Sequence, residues 1–191
     1  MVIASPAGGA APLDASSVEA FANDAVSASF LKEQESLWKQ TVKLSAVDEK
    51  DFDAIFYVGG HGPMFDLYSD ETSLQLIRSF AEAKKPVAAV CHGPAVLLKA
   101  TSTSGTPLIE NATVTGFSNV EEEQAGLTAA MPYLLESELQ RVSGGGYVKA
   151  DAPWGEKVVV SRTSLGGVLI TGQNPASATG VGKAILEEIT K

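Results

Sequence analysis

The chain has 191 residues, 45% hydrophobic and 19% charged, the balance of a folded globular protein and not of a disordered or fibrous one. A net charge of −9 argues against nucleic acid, which needs a basic footprint, and no apolar run suggests a signal peptide or a membrane span. The single cysteine excludes an intrachain disulfide and a cysteine-based zinc site, and it fits a reducing compartment.

Short apolar runs alternate with helical stretches along the chain. Val2 to Ser5 reads as a strand followed by a Pro- and Gly-rich turn. Asp14 to Leu44 carries helical fragments with Phe21, Val26, Phe30, Leu31 and Trp38 as apolar contacts. Ala54 to Val58 is a strand ending in Gly59-Gly60-His61-Gly62-Pro63. Ser69-Asp70-Glu71 then offers an N-cap and acidic first turn to a helix over Thr72 to Lys84 that turns Leu74, Ile77 and Ala81 to one face. Pro86 to Val90 reads as a buried parallel strand and Gly93 to Lys99 as the helix after it. Thr113 to Gly116 reads as a further strand, and Pro132 to Val142 as a helix with Leu135, Leu139 and Val142 inward. Lys157–Ser161 and Val168–Thr171 pair as a hairpin, and Asn174-Pro175 opens a closing helix carrying Val181, Ile185 and Ile189. The alternation predicts an α/β fold with a largely parallel sheet and helices on both faces, in one domain over residues 1–191.

Cys91 lies where the buried strand turns into the next helix, with His92 beside it. A lone cysteine is more often a small buried hydrophobe. A sharp strand-to-helix corner instead lifts a nucleophile above the sheet, as in the Gly-x-Ser-x-Gly turn of hydrolases. A helix N-terminus also predicts a depressed thiol pKa. Ligands of such sheets bind beyond the carboxyl ends of the strands, so the corners Gly59–Gly62 and Cys91–Gly93 are expected to share a pocket. Neither a phosphate loop nor a dinucleotide fingerprint is present.

Tyr57 to Leu67 taken with Val90-Cys91-His92-Gly93-Pro94 resembles the ThiJ/PfpI superfamily, whose fold is flavodoxin-like and related to class I glutamine amidotransferases. Ser5-Pro6-Ala7-Gly8-Gly9, Val114-Thr115-Gly116-Phe117 and Leu169 to Ser177 narrow the resemblance to the glutathione-independent glyoxalase (glyoxalase III) branch, which includes stress chaperones. The resemblance implies conversion of methylglyoxal to D-lactate without glutathione, metal or other cofactor. Carried over by position, Cys91 is the nucleophile and His92 its acid–base neighbour. The backbone N–H groups of Gly60 and His92 stabilise the oxyanion, with Gly59 and His61 in the same pocket. Glu122 orients the histidine, with Glu121 and Glu123 one residue either side of it. For His61 a local backbone bond and a substrate contact stay open, and Trp154 reads as a packing residue.

The same resemblance implies a homodimer in the cytoplasm or nucleus, with a small 2-oxoaldehyde as substrate. Family members begin with an additional strand and helix that deliver a glutamate beside the cysteine. This chain starts at what looks like their second strand, which predicts a weak catalyst or none. The alternative from another class is a holding chaperone for unfolded client proteins, or a redox sensor in which Cys91 is oxidised. Peptidase activity is a weaker third option.

Overall fold

The computed structural model describes residues 1–191, which gather into two compact units, Met1–Asp48 and Glu49–Lys191. In the first, β1 (Ala4–Ser5) pairs in parallel with β2 (Val42–Lys43). Between them run three short helices, α1 (Ala15–Ala20), α2 (Ala25–Glu33) and α3 (Glu35–Lys39). Asp14 and Asp24 begin the first two because their carboxylates accept the N–H groups of Ser16 and Ser27, donors that have no partner within the helix. The expected helical fragments are therefore present, but their apolar residues do not close into a core. Phe21 is 45% exposed, Val26 79% and Phe30 44%, and with Leu31 and Trp38 they line one open groove. Helices of five to nine residues offer too little apolar face to enclose one another.

In the second unit the elements run in the expected alternation. They are β3 (Ile55–Tyr57), α4 (Glu71–Glu82), β4 (Val87–Val90), α5 (Asn119–Gln124), α6 (Leu135–Val142), β5 (Val158–Arg162), β6 (Val168–Gly172) and α7 (Ala178–Ile189). The sheet order is β3-β4-β6-β5, parallel across β3, β4 and β6, with β5 antiparallel to β6 as the predicted hairpin. Every residue of β4 and β6 is buried, which a parallel sheet achieves only with cover on both faces. Asp70 caps α4 through the Ser73 N–H. Ile77, Phe80 and Ala81 of that helix enter the core with Leu97, Leu108, Leu169, Ile170 and Val181. Each large side chain buried there contributes about 1.5–3 kcal/mol.

Several expectations fail locally. Val2 and Ile3 lie outside β1. Thr113 to Gly116 is no strand: its one ladder contact is a parallel bridge between Val114 and Tyr147, and the Thr115 N–H is instead taken by the Thr171 hydroxyl. Gly93 to Lys99 is not an α-helix but a 3₁₀ turn over Gly93–Leu97, completely buried. Asn174 leads into a 3₁₀ turn, Pro175–Ser177, before α7 begins, and Ile189 is 43% exposed, not inward.

Candidate active site

The carboxyl ends of β3 and β4 lie side by side, and the site is built from the two turns that leave them. Cys91 follows Val90 directly and has φ of 63°, the left-handed region that a non-glycine residue adopts only under constraint. Three hydrogen-bonded contacts supply it. The Cys91 N–H donates to the Gly172 carbonyl at 2.9 Å, extending the β4–β6 ladder by one residue, and its own carbonyl accepts from the Phe117 N–H at 2.9 Å. His92 Nδ1 lies 3.4 Å from its sulfur. The corner also needs room. A Cβ on Gly59 would stand 2.5 Å from the Cys91 Cβ, so no larger residue fits just after β3 without moving the Cys91 side chain.

Phe117 leads straight into α5, and this sets the carboxylate. Ser118 caps the helix by accepting the Glu121 N–H, while the Glu121 side chain accepts the Ser118 N–H in return. That first turn aims two adjacent glutamates in different directions. Glu122 Oε2 lies 2.6 Å from His92 Nε2, and Glu122 Oε1 lies 3.0 Å from His61 Nε2. Glu121 is fully buried and faces away from the histidines. It accepts from Ser118, from the Trp154 N–H, and from the side-chain amides of Gln173 and Asn174. Glu123 is exposed. The structure thus selects Glu122 as the histidine's partner and gives Glu121 a structural role that the sequence did not suggest. The consecutive Gln173-Asn174 amides were the available signal.

A carboxylate only accepts, so the His92 proton sits on Nε2 and the Nδ1 lone pair faces the thiol. Burial lowers the His92 pKa to about 4, the Glu122 hydrogen bond acting against that and His61 adding to it. Burial pushes the Cys91 thiol up to about 11, opposed by the backbone N–H groups of Gly60 and His92 and reinforced by the carboxylates of Glu121 and Glu122. The depressed thiol pKa expected from the sequence is therefore reversed. The turn after Cys91 is a short 3₁₀ segment, too weak a dipole to offset desolvation. The pair rests as neutral thiol and neutral imidazole, the arrangement of a nucleophile deprotonated by its base during attack.

The predicted residues Gly59, Gly60, His61, Cys91, His92 and Glu122 meet at one place. The His61 ring is not bonded to local backbone: its ring nitrogen shares the Glu122 carboxylate, and the ring stacks on His92 at 4.1 Å between centroids. Phe117 covers the other side of His92 at 4.3 Å. Trp154 packs edge-on against Phe117 at 5.5 Å, as a packing residue would, while staying 45% exposed with φ of 63°. No helix of the chain is long and apolar enough to cross a membrane.

Residues 33–188 match the family described as the DJ-1/PfpI family. Among curated proteins, the chain is 34% identical over 145 residues to glyoxalase 3 of Candida albicans, covering 73% of this chain and 59% of that protein. It is 36% identical over 137 residues to the glutathione-independent glyoxalase HSP31 of Saccharomyces cerevisiae, covering 69% and 55%. The chain therefore spans less than two thirds of the length of these relatives. Its structure superposes on that of glyoxalase III from Candida albicans with a TM-score of 0.80 at 26% identity, covering 97% of this chain and 79% of the other.

Proposed function

Because the chain belongs to the DJ-1/PfpI family, we propose that it is a glutathione-independent glyoxalase that converts methylglyoxal to D-lactate through Cys91, His92 and Glu122. The observation that carries this reading is His92 held between a thiol and a carboxylate, Nδ1 on the sulfur and Nε2 on Glu122. The Cys91 sulfur attacks the aldehyde carbon, forming the S–C bond, as the thiol proton passes to His92 Nδ1. The aldehyde oxygen takes up a proton to give a hemithioacetal. His92, neutral again, removes the hydrogen from that carbon and returns a proton to the neighbouring carbonyl carbon, while the two oxygens exchange hydroxyl and carbonyl character. The product is a lactoyl thioester on Cys91. Water attacks it, the C–S bond breaks, the thiol is re-formed and lactate leaves. Through each cycle Glu122 stabilises the transient imidazolium, in the role a triad carboxylate plays for its histidine. The test is a glutathione-free assay of methylglyoxal loss with chiral detection of lactate: D-lactate from the wild type and none from Cys91→Ala supports the reading, and turnover by Cys91→Ala refutes it.

A second reading, a holding chaperone, is favoured by the open apolar groove of the first unit, where Phe21, Val26 and Phe30 are exposed together. Suppression of client aggregation by Cys91→Ala at wild-type level, lost in Phe21→Ser/Phe30→Ser, assigns that activity to the groove.

A further inference from the structure

Glu122 presents both of its oxygens to imidazole nitrogens, one to His92 and one to His61, and the proposed reaction uses only the first. We infer that His61, His92 and Glu122 form a binding site for one divalent cation of the zinc class, and that the bound cation switches the Cys91 nucleophile off.

The donor set is two imidazole nitrogens and one carboxylate oxygen, which suits zinc and its neighbours and not magnesium or calcium, which take oxygen. The three ligand atoms already lie within 4.8 Å of one another. With metal–ligand bonds of about 2.0–2.2 Å, tetrahedral ligands sit roughly 3.4 Å apart. The hydrogen-bonded pairs at 2.6 and 3.0 Å therefore open by less than about 1 Å, and the widest pair, within 4.8 Å, closes by up to about 1.4 Å, both by side-chain rotation. The His61 side chain is 31% exposed while that of His92 is 2% exposed, so an ion enters from the His61 side and a fourth position is left there for water. The chain has 2 histidines and both are in this cluster, so no other histidine site competes.

The switch follows from the tautomer. A cation on His92 Nε2 displaces the proton from that nitrogen, and the neutral ring then carries its proton on Nδ1. Nδ1 faces the Cys91 sulfur at 3.4 Å, so the atom that has to accept the thiol proton becomes a donor. Glu122 is at the same time withdrawn from the imidazole it serves. The sulfur lies on the Nδ1 side of the ring and is not a ligand.

The inhibitory half of this inference rests on the glyoxalase reading; the binding half does not, and the experiment separates them. Untagged protein is titrated with Zn²⁺ by calorimetry and with Co²⁺ by visible absorption. We expect one ion per chain, with the d–d bands of nitrogen- and oxygen-ligated cobalt. Cys91→Ala keeps this binding, and His61→Asn weakens it by at least about 10–100-fold, the range already seen when mere outer-shell partners of a metal are lost. Absence of one-to-one binding by the wild type, wild-type affinity in His61→Asn, or loss of binding in Cys91→Ala overturns the site. In the D-lactate assay, zinc abolishes turnover and a chelator restores it; binding without inhibition overturns the switch alone. A wild type that binds zinc but never makes lactate overturns the glyoxalase reading and leaves the site standing.

Discussion

Gly59→Ala tests whether the left-handed corner at Cys91 depends on the bare backbone facing it. The added methyl carbon would stand 2.5 Å from the Cys91 Cβ and 3.1 Å from its sulfur. Carbon–carbon contacts prefer about 3.5–4.0 Å, so the end of β3 or the Cys91 corner has to move by roughly 1 Å. Overpacking of that kind costs about 1–3 kcal/mol. In a chain of this size 1 kcal/mol corresponds to about 2–4 °C, giving a fall in Tm on the order of 2–12 °C. A nucleophile misplaced by about 1 Å also loses on the order of 10²-fold in rate. Gly62→Ala is the control. Its Cβ meets nothing within 4 Å, and its φ lies outside the left-handed region, so little cost is expected there. Thermal melting and kcat/KM are measured for both variants. If Gly59→Ala melts within a degree of the wild type and turns over equally well, Gly59 is not what permits the Cys91 geometry and the steric argument is wrong.

The adjacent glutamates are expected to separate in opposite directions. Glu122→Gln keeps the volume but removes the charge that stabilises the His92 imidazolium, lowering turnover by about 10²–10⁴-fold with little change in Tm. Glu121→Gln leaves buried donors of Ser118, Trp154, Gln173 or Asn174 unsatisfied at about 1–3 kcal/mol each, so melting falls first; the reverse ranking in scanning fluorimetry and kinetics refutes both assignments. For Cys91, alkylation by iodoacetamide, followed by mass, should be slow at pH 7 and climb towards pH 11; a rate at pH 7 matching a free thiol contradicts the buried neutral thiol. Burial raises the Tyr57 pKa to about 12, the Ser73 hydrogen bond opposing it. Against an unfolded value of about 10, its stabilising share is complete below pH 10 and disappears as pH rises through 12, about 3 kcal/mol in all. Tyr57→Phe should flatten that alkaline limb in a pH series of melting curves, and an unchanged limb removes Tyr57 as its cause.

The parallel α/β sheet and the position of Cys91 could be read from the chain because both are local statements. Apolar four- and five-residue runs, Asp70 before a helical pattern, and glycines after two strands depend on nearest neighbours and on the two periods of backbone geometry. The register of the site was legible only as far as neighbours reach. Cys91 and His92 are adjacent, so their pairing follows from sequence, whereas three consecutive glutamates offer the same chemistry until a helix sets their directions. The Ser118 cap and the Phe117–Cys91 hydrogen bond make that choice, turning Glu122 to the histidines and Glu121 to the amides of Gln173 and Asn174. The thiol's proton affinity was misread for a related reason. A helix dipole can be inferred from a pattern, but desolvation is the sum of everything packed around the sulfur, and that sum exists only once residues distant in the chain have come together. His61 and His92, far apart in sequence, share one carboxylate on the same grounds.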